Sequence, residues 1–158
     1  MAAVAWMAHH HNQPWSDEAV RARLAAGFDP RDPLLRDAWG LLADAGVPAV
    51  VHCGDGPIPG EHTGLGIFAE VLATHPDLRI VLAHAGMPDF RGALELLDRF
   101  PNLVLDTTMV GTAFSQRIAP LPPDWPARLA EHPGRIVLGT DFPNIPYAYA
   151  EQLAAIAG

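Results

Sequence analysis

Lysine is absent from this 158-residue sequence: all ten basic side chains are arginine, set against eighteen acidic ones, for a formal charge of −8. A net acidic surface argues against nucleic acid or an anionic membrane as a partner. Cysteine occurs once, at Cys53, which excludes an internal disulfide and fits a reducing, cytoplasmic setting. No apolar run approaches the ~20 residues that a membrane span needs. The apolar opening, Met1–Ala8, lacks the basic flank of a secretory signal. Charged residues make up only 18% and apolar ones 49%, which excludes wholesale disorder and provides the core of one ordinary domain.

What the chain has in quantity is punctuation, with sixteen Pro and fourteen Gly. Three segments share one plan: Thr74–His84, Arg99–Asp106 and Glu131–Asp141. In each, an X-Pro step stops a helical pattern, because proline disfavours helical geometry in the residue before it. A short Ile/Val/Leu run follows, ending in a polar residue. An earlier run, Val47–His52, fits the same mould. Near-continuous aliphatic runs predict parallel strands buried on both faces.

Helical patterns lie between these strands. Leu34, Leu35, Ala38, Leu41, Leu42 and Ala45 form one predicted stripe, with Asp32-Pro33 as its start and Gly46 as its stop. Leu65, Phe68, Val71 and Leu72 mark a second helix, and Phe90, Ala93, Leu94, Leu97 and Phe100 a third. A short helix is expected after Asp124 and a last one from about Pro146 to Ala157. Residues 1–27 are the least defined: Ala2–Ala8 reads as a weak strand and Asn12–Gly27 as a turn and helix. The alternation βαβαβαβα predicts an α/β fold, a parallel sheet covered by helices.

In such folds, ligands bind at the carboxyl ends of the strands. The four clear strands are expected to end in His52, His84, Asp106 and Asp141, two imidazoles and two carboxylates at one rim. That set suits a hard or borderline divalent metal and its activated water. Gly54, Gly86 and Gly139 stand beside three of these residues, where the backbone must turn sharply or a ligand come close.

The stretches VVHCG, VLAHAGMP and GTDFP, in this order, resemble the strand-five, strand-six and strand-eight motifs of the amidohydrolase superfamily. FDPRDPLL, GDGPIPGEHTG and LDTT add to the likeness, which is greatest to the amidohydrolase-related branch that includes aminocarboxymuconate semialdehyde decarboxylase. The resemblance implies a partial (β/α)8 TIM barrel, with residues 28–158 as its C-terminal half. It implies a divalent metal, zinc being the first candidate. His52 resembles a metal ligand. His84 resembles a histidine that is a ligand in binuclear members and a general acid/base in mononuclear ones. Asp141 resembles the aspartate that touches the metal and takes a proton from the attacking water. The implied activity is metal-dependent hydrolysis of a small carboxylic, lactone or amide substrate, or decarboxylation (a lyase reaction). The family's strand-one His-x-His pair has no counterpart well over a hundred residues before His52. A non-catalytic half-barrel remnant is therefore the alternative reading. A half barrel has two unpaired sheet edges, so a second copy is a candidate partner beside the substrate.

The remaining candidates have plainer readings. Asp106 serves equally as a loop cap. His9-His10-His11 reads as an exposed polar end or as a substitute for the strand-one ligands. His62 reads as a solvated loop residue, His75 and His132 as helix-end residues facing the dipole, and Cys53 as a small buried filler. Trp6 and Trp15 are expected to cover an open edge.

Overall fold

The computed structural model describes residues 4–7, 29–55, 59–141 and 145–157. The described elements are β1 (Val4–Met7), α1 (Pro33–Ala45), β2 (Ala49–His52), α2 (Leu65–Thr74), β3 (Ile80–Leu82), a 3-10 turn (Ala83–Gly86), α3 (Phe90–Arg99) and β4 (Leu103–Asp106). They continue with α4 (Ala113–Ile118), α5 (Trp125–Ala130), β5 (Ile136–Val137) and α6 (Tyr149–Ala157). The five strands form one sheet in the order β1-β2-β3-β4-β5, and every pairing is parallel. Consecutive parallel strands laid side by side, each followed by a helical crossover, are how a barrel wall is built. The weak strand expected at Ala2–Ala8 is therefore β1, in register with β2 from Val4↔Ala49 to Met7↔His52. The helix expected over Asn12–Gly27, and His9, His10, His11 and Trp15, lie outside the described residues.

The strand ends depart from expectation in two places. β2 and β4 do end in His52 and Asp106, but β3 stops at Leu82 and β5 at Val137. His84 and Asp141 stand on the turns beyond. Both have left-handed backbone, with φ of 53° and 52°, which takes them out of extended geometry.

Burial also differs from the two-faced expectation. Ala49, Val51, Ile80, Leu82, Leu103 and Leu105 are buried to 0–1% exposure, whereas their alternates Val50, Val81 and Val104 are only half-buried. The buried set packs on Phe68, Val71 and Leu72 of α2, Ala93, Leu94 and Leu97 of α3, and Trp39 of α1. Helices thus cover one face of the sheet among the described residues, and His52 and Asp106 share the half-open face with the valines.

Helix limits follow the local chemistry. The Asp32 carboxylate accepts from the Leu34 N–H, Pro33 starts α1, and Gly46 ends it at φ 62°. The stripe of α1 is rotated from the expected one: Leu34 and Leu41 are exposed, and Trp39 goes to the core instead. Trp39 donates its indole N–H to the Pro30 carbonyl at 2.9 Å and meets Phe68 edge-on, giving a large ring both packing and a polar partner. The expected core face of α2 is as observed, and that of α3 is too for Phe90, Ala93, Leu94 and Leu97, with Leu96 buried as well and Phe100 only partly buried as the C-cap. The Arg135 guanidinium, just before β5, donates to the carbonyls of Leu97 (2.6 Å), Phe100 (2.6 Å) and Leu103 (2.9 Å). That clasp satisfies the end of α3 and fixes where β5 begins. Among the described residues, no helix is long and apolar enough to cross a membrane.

Candidate active site

Parallel pairing brings His52 and the turn after β3 to one rim. There the His52 and His84 rings meet edge to face, with centroids 4.9 Å apart. The His84 ring is presented by a turn in which His84 (φ 53°, ψ 26°) and Ala85 (φ 48°, ψ 34°) are both left-handed. Two adjacent non-glycine residues in this region are strained, and such strain persists where surrounding structure over-determines it. The surroundings do so here. Gly86 continues the turn at φ 72°, and the Asp89 carboxylate caps α3 through the Gly92 N–H at 2.9 Å.

Two glycines let neighbouring loops close on one another at this rim. A Cβ at Gly54 would collide with the Met87 carbonyl oxygen, so the loop after β2 touches the His84 loop backbone to backbone. A Cβ at Gly139 would fall on the Asp106 carboxylate and the Thr108 hydroxyl. Asp106 itself accepts from the Thr108 N–H at 2.6 Å, and so caps its own loop. Beyond it, the Thr108 carbonyl faces His84 Nδ1 at 3.4 Å. A carbonyl can only accept, so a hydrogen bond here requires the proton on His84 Nδ1, which leaves the lone pair of the neutral ring on Nε2.

Asp141 is exposed at the end of the segment after β5. Among the described residues, no group of three or more His, Cys, Asp and Glu side chains stands close enough to hold an ion. The fold thus brings His52 and His84 together, while Asp141, on the segment after β5, forms no such group with them. The sequence profile of the Amidohydrolase family matches residues 5–157.

The chain belongs to the amidohydrolase family.

Solved structures agree in fold. An uncharacterised TIM-barrel protein from Bordetella bronchiseptica superimposes with a TM-score of 0.63 at 23% identity, covering 83% of this chain and 45% of that one. Amidohydrolase 2 from Bifidobacterium longum subsp. infantis gives a TM-score of 0.56 at 18% identity, covering 79% and 48%. The amidohydrolase chain is thus a partial TIM barrel and spans about half the length of these structures. No protein of curated function matches it.

The other described histidines of this amidohydrolase sit where plainer chemistry explains them. His75 is the C-cap of α2, and His132 Nε2 lies 2.9 Å from Asp98. His62 is half-buried in the loop after β2, with Nδ1 3.9 Å from Asp29. The adjoining Asp29 carboxylate is held below its usual range by hydrogen bonds from Arg31. Cys53 is buried, and burial, with Asp55 nearby, pushes its thiol up to about 12. A thiol that is protonated at pH 8 is a poor nucleophile. Iodoacetamide at pH 8 should therefore leave Cys53 unmodified in the folded chain for hours and alkylate it within minutes in urea, as read by mass spectrometry.

The expectations from the sequence pass over one residue of the rim. Gln152 is completely buried on α6. Its Oε1 accepts from the Met109 N–H at 2.6 Å and from the Tyr147 hydroxyl at 2.9 Å, and its Nε2 donates to the Thr107 carbonyl at 3.1 Å. The amide joins the loop after β4 to the segment after β5. Burial raises the Tyr147 phenol above its ordinary pKa. A signal did exist: Gln152 is the one uncharged polar side chain in a helix otherwise made of Ala, Leu, Ile, Tyr and a single Glu.

Proposed function

We propose that this chain is a metal-dependent hydrolase acting on a small carboxylic, lactone or amide substrate, of the branch that also contains decarboxylases. The observation that carries the reading is the edge-to-face pair of His52 and His84 at 4.9 Å, on the rim of an amidohydrolase fold. Two imidazoles on neighbouring loops fit a borderline divalent ion, zinc first, and Asp141, on the segment after β5, is the carboxylate proposed to join them. Such an ion lowers the pKa of bound water or polarises a substrate oxygen. His52 and His84 would hold it through ring nitrogens. Asp141 would orient the attacking water and accept its proton. In a mononuclear site, where His52 alone of the pair holds the ion, His84 Nε2 would instead carry a proton to the leaving group, or to carbon in a decarboxylation. Family membership favours this reading over a non-catalytic remnant.

The test is elemental analysis of the purified chain, with turnover of a panel of small lactones, amides and carboxylic acids. About one divalent ion per chain, with activity lost to chelator and regained on adding zinc, is the expected result. A chain that binds no metal and shows no zinc-dependent turnover overturns the proposal.

A further inference from the structure

We propose that Gln152 is a positioning residue that sets the tautomer of His84 through a single peptide unit. The inference rests on the reading of His84 as a site residue, but its chemistry is independent of turnover. The Thr108–Met109 peptide carries both halves of the argument. Its N–H points at Gln152 Oε1 (2.6 Å), and its carbonyl faces His84 Nδ1 (3.4 Å). A trans peptide is planar, with N–H and C=O directed oppositely. The only cis bond among the described residues is Met87–Pro88. Fixing the N–H therefore aims the carbonyl, and the carbonyl holds the proton on His84 Nδ1. Hydrogen bonding at the N–H also polarises the carbonyl and strengthens it as an acceptor.

The amide is oriented without ambiguity. The Met109 N–H can only donate and the Thr107 carbonyl can only accept, so Oε1 and Nε2 each have one possible place. Gln152 thus grips the peptide units on both sides of Thr108. Met109 has a left-handed backbone, φ 64°, a conformation that a free loop would tend to leave. Gly111 also runs close to this helix, since a Cβ there would lie 3.4 Å from the Ala155 carbonyl oxygen. α6 therefore acts as the backing plate of the His84 acceptor. A buried glutamine serves this purpose where a leucine cannot, because only the amide returns the Met109 N–H its hydrogen bond.

The test is a long-range ¹H–¹⁵N NMR spectrum of the full chain, histidine-labelled, freed of metal by chelator and held at about pH 8.5, where imidazole is ordinarily neutral. His84 is assigned by the signal lost in His84→Gln. The wild-type spectrum should show His84 with the proton on Nδ1; an Nε2–H pattern there overturns the proposal without any variant. Gln152→Leu removes the acceptor for the Met109 N–H and should move His84 to a mixture in which Nε2–H predominates. Gln152→Glu keeps that acceptor oxygen and loses only the donor to Thr107, so it should destabilise the chain yet retain the Nδ1–H pattern. A role in packing alone would make His84 follow stability in both variants, and that outcome overturns the proposal, as does a folded Gln152→Leu with an unchanged His84 signal. Tyr147→Phe, which removes only the hydroxyl donor to Oε1, should leave His84 as it is. If the chain proves to bind no metal while these tautomers behave as expected, the proposed activity fails and the positioning role stands.

Discussion

Replacing His52 with Ala should strip the bound divalent ion from the chain and abolish zinc-dependent turnover. The loss of affinity should exceed the roughly 10–100-fold that follows removal of a residue one step behind a metal ligand, because an imidazole donor itself is gone. His84→Ala should do the same, since each ring is half of the only imidazole pair in contact among the described residues. Asp141→Ala should weaken the ion and remove the proton acceptor together. Isothermal titration with zinc, beside circular dichroism to show that the fold persists, is the check. Affinity retained in all three variants would mean that the ligands lie elsewhere.

The second large effect is expected at a residue with no side chain. Gly54→Ala puts a methyl group onto the Met87 carbonyl oxygen, a main-chain atom that cannot swing aside as a flexible side chain can. Overpacking of this kind costs about 2–3 kcal/mol. In a chain of this length that lowers Tm by roughly 4–12 °C. Met87 follows directly on the turn that presents His84, so zinc affinity should fall with stability. Gly66→Ala is the control: it lies on the exposed side of α2 with nothing within 4 Å of the new methyl. It should leave Tm unchanged or raise it, by about 0.5–1 kcal/mol of backbone entropy. Thermal denaturation of both variants separates steric contact from the mere loss of a glycine.

The sequence foretold the fold wherever one kind of force acted alone. Ile80-Val81-Leu82 and Leu103-Val104-Leu105 have to be buried, and Asp32-Pro33 and Gly46 have to bracket a helix, whatever surrounds them. It was less readable where two forces competed. Trp39 displaced Leu34 and Leu41 from the core face of α1 because its ring fills more space and its N–H finds the Pro30 carbonyl. α6 is the sharper case, since it buries Gln152 and leaves Leu153 and Ile156 exposed. Hydrophobic periodicity has no means of announcing that a loop two elements away needs an acceptor. At the rim, the placement of His52 was legible because it ends a β-branched run. The left-handed turns at His84 and Asp141 were not, because neither residue is the glycine that ordinarily marks them.

The paired left-handed residues after β3 carry a consequence for how this chain would evolve. Each sits in a region that disfavours side chains by about 1 kcal/mol or more, a penalty glycine escapes. Selection for robustness alone would drift towards glycine at His84 and Ala85 and discard the imidazole on the way. Heat-tolerant descendants raised without a demand for turnover should thus lose this ring early, a trade-off between endurance and chemistry written into one bend of the backbone.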